Sequence, residues 1–402
     1  MGCAYRGRWG LVSMEDGSKL SEGYYDVEIS NLALIDACWG TSVADQVVDH
    51  VRMRLHHAGL RVTQESGWGG FRIVCNLRRP GVVDHRSLAE LPYQLSAEPI
   101  SIEIAANQKA AAVHAVVSWE CDNLPRYRTP RDIQSDHQER WFAIYKSDMQ
   151  IAAYVFRCMR EGRLAPHWQA VCDYRQPEQV LYHEGLMRFS DVNEALAPDI
   201  VFPALERTGL ASTFDWLMVS HVIGELEGDP KATLGVNISA NSAHLRGWWG
   251  SVMGDLERRP AVARRLVVEI TETEPLIHIE DAAVFACRLR ACGAALALDD
   301  FGAGYTSIRH LMQLMPAFVK TDGSFVRRIS RNELPCDVLP HLIGLIKALG
   351  GTVIVEGVET PGMADLAYAS GGVWQQGYFH GRPDLVRTGT SCASPRALFH
   401  DY

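Results

Sequence analysis

A (β/α) barrel preceded by a smaller α/β domain is the fold this sequence predicts, and three observations predict it. Short apolar runs end on polar residues at intervals between 181 and 376. Helical periodicity fills the gaps between those runs. The alternating part also matches the roughly 250 residues that such barrels occupy, within a 402-residue chain long enough for about two to three domains.

Taken in order, residues 1–124 read as the small α/β domain. Residues 25–32 have strand character. Residues 43–60 place Val47, Val48, Val51 and Leu55 at helical spacing. Residues 72–77 and 100–105 read as strands, and 112–119 is a further apolar run with β-branched side chains. Pro125, Arg126, Arg128, Pro130 and Arg131 then interrupt all periodicity, so 125–147 is expected to be a linker, although helical spacing resumes at 141–159. The barrel is expected over 148–383. Its clearest helical patterns are 217–226, 282–292, 338–349 and 364–369, each preceding a short apolar run. Runs of four or five apolar, β-branched residues suit strands buried on both faces, hence a parallel barrel of about eight strands. Residues 384–402 are polar and expected to be loosely attached.

The bulk numbers narrow the function. The net charge is -9 and no long basic run occurs, which argues against a duplex nucleic-acid binder. Ten cysteines are scattered without a CxxC pair, as expected of free thiols in a reducing, cytoplasmic setting. We find no apolar leader at the N-terminus and no uninterrupted apolar stretch of the ~18 residues that a membrane span takes.

The polar ends of the runs are the informative residues. Residues 181–183 lead into Glu184, 234–236 into Asn237 and 266–268 into Glu269. Residues 295–298 lead into Asp299 and Asp300, 318–319 into Lys320, and 352–355 into Glu356. A last short run ends at Gln376. In such barrels the C-terminal strand ends build the active site. Five carboxylates and an amide gathered on one rim with a single lysine repel one another unless cations hold them. Hard divalent cations with oxygen ligands answer that need. Singly, each position has a plainer meaning. A lone acid is commonly a solvated cap, Asp299-Asp300 suits a helix N-terminus, and Lys320 suits a surface. The ordered set of seven weighs against those readings.

Glu184-Gly185-Leu186-Met187-Arg188-Phe189 resembles the signature of the EAL phosphodiesterase family. The resemblance continues through Phe202-Pro203-Ala204-Leu205-Glu206, Asn237-Ile238-Ser239-Ala240 and Glu269-Ile270-Thr271-Glu272-Thr273. It extends through Asp299-Asp300-Phe301-Gly302-Ala303-Gly304-Tyr305 and Lys320-Thr321-Asp322-Gly323-Ser324-Phe325-Val326. It ends with Glu356-Gly357-Val358-Glu359-Thr360 and Gln376-Gly377-Tyr378. It implies a TIM-like (β/α)8 barrel and hydrolysis of cyclic di-GMP to linear pGpG by two divalent metals, Mg²⁺ or Mn²⁺. The residue chemistry agrees: Glu184, Asn237, Glu269 and Asp299 can surround one ion, and Asp299 can bridge to a second held by Asp300 and Glu356. Lys320 is then expected to orient water or a phosphate oxygen, and Glu356 to serve as ligand or base. The resemblance further implies substrate contacts at Leu186, Arg188 and Gln376. It also implies a regulatory loop at 300–307 anchored by Glu272, Asp322 and Glu359, and a homodimer through the barrel.

Three departures stand out: Gly185 replaces the alanine of the name motif, Ala303 the usual loop threonine, and Thr321 the usual isoleucine. None removes a ligand or a charge. Residues 24–120 faintly resemble a GGDEF domain, the diguanylate cyclase partner. There Trp68, Gly69 and Gly70 stand where the turn needs metal-binding acids, so a degenerate, regulatory domain is expected, with a PAS-like sensory fold as the competing reading. Three functions compete: an active phosphodiesterase, a receptor that holds cyclic di-GMP uncut, and a scaffold that binds neither. The intact ligand set favours the enzyme.

Overall fold

The apolar runs of the second half become strands that bury both faces, as their β-branched composition requires. The computed structural model describes residues 22–65, 69–76, 85–102, 111–119, 135–189, 197–245, 247–271, 278–303, 307–388 and 390–391. It divides into two units: residues 1–156 with 198–210, and residues 157–197 with 211–402.

The first unit contains β1 (Glu22–Ile29), α1 (Leu32–Trp39), α2 (Thr41–His57), β2 (Arg61–Glu65) and β3 (Gly70–Asn76). These are followed by α3 (His85–Ala97), β4 (Ile100–Ile102), β5 (Ala111–Val113), β6 (Val117–Trp119) and α4 (Ser135–Arg160), and α5 (Pro198–Thr208) completes it. Its sheet runs β2-β3-β1-β6, with every pairing antiparallel. The helical spacing at 43–60 is realised in α2, which buries Val43, Ala44, Val47, Val51 and Leu55. Asn31 ties the interior together. Its Nδ2 donates to the carbonyl of His114 and to the Tyr145 hydroxyl, and its Oδ1 accepts from Val116 N at 2.8 Å. Arg207 grips buried Asp148 with two hydrogen bonds of 2.7 and 2.9 Å, joining α5 to α4. The expected linker is corrected in part: from Ser135 onward it is helix, and 120–134 lies outside the described residues.

The second unit holds the barrel. Its strands are β7 (Leu164–Asp173), β8 (Gln179–Phe189), β9 (Leu234–Ile238), β10 (Leu266–Ile270), β11 (Ala295–Phe301), β12 (Phe318–Thr321), β13 (Thr352–Val355) and β14 (Trp374–Gln375), followed by β15 (Thr390–Ser391). Its helices are α6 (Ala211–Gly228), α7 (Trp249–Arg258), α8 (Pro260–Ala263), α9 (Ile279–Cys292), α10 (Ile308–Leu314), α11 (Ser324–Ser330), α12 (Val338–Ala348) and α13 (Pro361–Ala369). Neighbours run β8-β7-β14-β13-β12-β11-β10-β9, and β9 pairs back onto β8, so eight strands close.

Two expectations are corrected here. The barrel is not wholly parallel, because β7 runs antiparallel to both neighbours, β8 and β14. The cause is local. A short turn joins β7 to β8, with Asp173 Oδ1 accepting from Arg175 N and Gln176 N, whereas a parallel pair needs a long crossover. The segment after 383 is also not loose where it is described. Asp384 exchanges two backbone hydrogen bonds with Trp168, and β15 pairs with β8. Arg387 bridges Glu225 and Asp229 while lying over the Trp168 ring.

Side chains two residues apart share a strand face, and this sets up layers inside the barrel. Val171, Tyr182, Val267, Ala297, Phe318 and Ile354 form one buried apolar cluster. Two residues further along their strands stand Glu184, Glu269, Asp299, Lys320 and Glu356. On the reversed β7 the step goes backward, to Gln169. The apolar layer thus forms the floor of a polar mouth.

Arg265 fastens the entry to β9 and β10. It donates to the carbonyls of Ala261 (2.9 Å), Asp229 (2.7 Å), Ala232 (2.9 Å) and Leu226 (2.7 Å). We expect Arg265→Ala to lower unfolding stability by about 2–4 kcal/mol, since four carbonyls lose a charged donor. Lysine is not expected to restore it, because a point charge cannot serve all four. Urea denaturation of both variants checks this, and a loss below about 1 kcal/mol in the alanine variant would contradict it.

Candidate functional site

The ammonium of Lys320 is the centre of the mouth. It lies 2.9 Å from Glu184 Oε2, 3.0 Å from Glu269 Oε2, 3.0 Å from Asp299 Oδ1 and 2.9 Å from Glu356 Oε1. These four acids come from β8, β10, β11 and the end of β13, so closure of the barrel is what brings them together. Burial works against the charge on Lys320. Asp299, Glu184, Glu269 and Glu356 nevertheless hold its pKa well above the usual lysine range.

The carboxylates differ in their surroundings. Burial opposes ionisation of Glu184, but Lys320, Asn237 and Gln376 together hold its pKa below the ordinary value. Asn237 Nδ2 donates to Glu184 Oε1 at 2.6 Å, and Gln376 Nε2 donates to Oε2 at 2.7 Å. Burial pushes Glu269 and Glu356 upward, and Asp299 adds to the rise in both. Asp300 is likewise raised, by burial and then by Asp299. One ammonium faces four carboxyl groups, and the upward shifts of Glu269 and Glu356 follow from their burial and that crowding.

Oxygen atoms gather in two groups whose potential ligand atoms lie within 4.8 Å of one another: Glu184, Glu269 and Asp299, and Asp299, Asp300 and Glu356. Asp299 belongs to both. Asn237 Oδ1 and both oxygens of Glu269 are buried without a hydrogen-bond partner. Of the two Glu269 oxygens, Oε2 has the Lys320 ammonium at 3.0 Å as its charge partner. Unpartnered buried acceptors beside crowded carboxyl groups fit hard divalent cations.

Other expected residues fall in different places. Gln376 joins the cluster through Glu184 and also reaches Gln169 Oε1 at 3.4 Å. Leu186 and Arg188 are half-buried on β8, and Arg188 Nη1 donates to the carbonyl of Met187, with no acid paired to it among the described residues. Asp322 N donates to the Phe301 carbonyl, placing it beside the loop that starts at Asp300. Phe325 lies over Gly302, whose φ is +98°; an added Cβ there would stand 2.6 Å from the ring. Glu359 is exposed, and no described contact ties it to that loop. Glu272 and residues 304–306 lie outside the described residues.

Two groups were missed by sequence reasoning. Gln169 sits on the reversed strand, with Nε2 donating to the carbonyl of Gly381, and a lone glutamine carries no motif. Asp215 of α6 is buried and its Oδ2 accepts from Ser239 N, Ser239 Oγ and Ser242 Oγ. It steadies the turn that follows Asn237. Ser239 stood within a recognised motif, but its partner 24 residues earlier gave no local signal.

Comparison with known proteins places this geometry. The family model described as EAL domain matches residues 153–383. The chain is 28% identical over 208 residues to the cyclic di-GMP phosphodiesterase PdeF of Escherichia coli (strain K12), covering 50% of this chain and 28% of PdeF. It is 23% identical over 403 residues to MucR of Pseudomonas aeruginosa, named a bifunctional diguanylate cyclase/cyclic di-GMP phosphodiesterase, covering 94% of this chain and 56% of MucR. The chain thus spans little more than a quarter of one relative and just over half of the other. The solved PaMucR phosphodiesterase in its c-di-GMP complex has the same barrel fold, with a TM-score of 0.51 at 24% identity over 58% of this chain and 97% of that one.

Asp215 also gives a pH signature. Burial pushes its carboxyl up from 3.8 to about 6, against the three serine hydrogen bonds. The folded protein thus holds this proton more tightly than the unfolded chain. The associated stability is full below about pH 4 and lost as pH rises through about 6, roughly 3 kcal/mol in all. We expect the difference in stability between wild type and Asp215→Asn to change over that window and to be flat above it. Denaturation from pH 4 to 8 checks this; a difference independent of pH would contradict it.

Proposed function

The chain belongs to the EAL domain family, and from that premise we propose that it hydrolyses cyclic di-GMP to linear pGpG with two divalent cations, Mg²⁺ or Mn²⁺. The observation that carries the reading is the pair of oxygen groups that share Asp299 around an over-subscribed Lys320. Glu184, Asn237, Glu269 and Asp299 would hold one cation, and Asp299, Asp300 and Glu356 the other. Bound there, the cations supply charge to the attacked phosphate and make water a nucleophile near neutral pH.

The chain's own residues do the rest. Lys320 keeps four carboxylates converged, and an N–H released when a carboxylate turns to a cation would be available to water or a phosphate oxygen. Glu356 is the least buried of the four, with 17% of its side chain exposed, so it can both hold a cation and accept a proton at the open side. Arg188 needs only to give up the Met187 carbonyl to turn its fork toward a phosphate. Gln376 fixes Glu184 through Nε2 and leaves a buried Oε1 without a partner, an acceptor suited to a guanine edge. Leu186 adds an apolar wall. A receptor that holds the nucleotide uncut has less support, because none of the seven expected polar positions is lost. Assembly as a homodimer through the barrel, with the loop 300–307 near the contact, belongs to the same proposal. No helix among the described residues is long and apolar enough to cross a membrane.

Residues 1–124 we read as a degenerate GGDEF-like domain without cyclase chemistry. The alignment with MucR across 94% of the chain supports this. So does the turn between β2 and β3. Gly69 there has φ +86°, and a Cβ on it would stand 2.5 Å from Leu32 Cδ2, so the position suits glycine and not a metal-binding acid.

Purified full-length protein with Mn²⁺ is expected to convert cyclic di-GMP to pGpG. Glu184→Gln should lower the rate at least about 100-fold while the protein still melts cooperatively. Nucleotide bound but unchanged by the wild type would favour the receptor instead, and near-wild-type turnover by the variant would contradict the site.

The same full-length protein given GTP and Mg²⁺ is expected to yield no cyclic di-GMP. Product on a nucleotide chromatogram would show that the β2–β3 turn is not degenerate.

A further inference from the structure

Glu269 is the fully buried carboxylate of the cluster whose recorded polar contact, among the described residues, is the Lys320 ammonium 3.0 Å from Oε2. It is 0% exposed, and neither oxygen has a hydrogen-bond partner. Glu184, by contrast, accepts from Asn237, Lys320 and Gln376. The Lys320 contact reaches one oxygen of Glu269, Oε2, and leaves Oε1 without a partner. The shape of what surrounds Glu269 therefore bears on its pose, since interiors are packed to contact.

That shape comes from β8 and β9. On β9, Gly235 pairs with Val267 and Asn237 pairs with Glu269. A Cβ added to Gly235 would overlap Glu269 Oε1 and would stand 2.8 Å from Cε2 and 3.0 Å from Cδ2 of Tyr182. The space that a side chain would fill at 235 is thus shared by the Glu269 carboxylate and the Tyr182 ring. Tyr182 is itself 0% exposed and tilts against Phe318 at 5.6 Å in the apolar floor. Its hydroxyl is buried without a partner. An unpartnered buried hydroxyl is a cost, so the ring is the part of this residue that serves the site.

We propose that Tyr182 and Gly235 are positioning residues for Glu269. The ring beneath and the missing side chain alongside fix where the carboxylate stands, and so how tightly the group of Glu184, Asn237, Glu269 and Asp299 takes a divalent cation. This rests on the cation reading given above.

Calorimetric titration of Mn²⁺ into the full-length protein tests it. Tyr182→Phe keeps the ring and should keep the affinity. Tyr182→Leu frees the shared space and Gly235→Ala fills it; each should weaken one of the Mn²⁺ sites by about tenfold or more, the range for residues that orient ligands. Neither should weaken binding further in a Glu269→Gln background, where binding at Asp299, Asp300 and Glu356 continues. Wild-type affinity in Tyr182→Leu overturns the inference. So does a loss of equal size in the Glu269→Gln background, which marks a general effect on the fold, or a weakened Tyr182→Phe, which marks the hydroxyl. Tyr182→Leu adds no atom against Glu269, so it carries the test if Gly235→Ala does not melt cooperatively. A wild type that takes up no Mn²⁺ is a separate outcome and overturns the cation reading itself.

Discussion

The ammonium of Lys320, 1% exposed and within 3.0 Å of four carboxylates, is the interaction on which the rest of the mouth depends. A buried ammonium alone is prohibitively costly, and so is each buried carboxylate. Together they are tolerable because every acid finds the same cation. The balance is still lopsided, since four acids share one positive charge. That crowding of acids is what the proposed cations would relieve.

The barrel is built to present this arrangement. Alternation within a strand puts Phe318 and Lys320, Tyr182 and Glu184, and Val267 and Glu269 on the same inward face, two residues apart. An apolar floor therefore lies directly under the polar mouth and keeps water from screening it from below. The outer supports act on the same strands. Arg265 binds the chain ahead of β9 and β10, Asp215 holds the turn after Asn237, and the segment from Asp384 to Ser391 is laced to β7 and β8.

The sequence made the mouth legible because its chemistry demands particular residue types at strand ends. Glu184, Glu269, Asp299, Lys320 and Glu356 could not be replaced by packing residues, so they stood out against the apolar runs. What stayed hidden was held by partners distant in the chain. The reversal of β7 depends on a turn capped by Asp173, and its strand contains a proline and no motif. Gln169 is meaningful only beside Gln376, over two hundred residues later. Arg387 looked like part of a polar tail because its acids, Glu225 and Asp229, lie on and just beyond α6. The role of Gly235 cannot be read from β9 at all, because the ring that claims its space comes from β8.

On the proposed function, the carboxylates around Lys320 hold two cations that share Asp299. Crystals soaked in Mn²⁺ and measured for anomalous scattering test it most directly. Two peaks are predicted, one among Glu184, Asn237, Glu269 and Asp299 and the other among Asp299, Asp300 and Glu356. Crystals with no anomalous peak at the mouth, and the Lys320 ammonium still bonded to all four acids, would contradict the account.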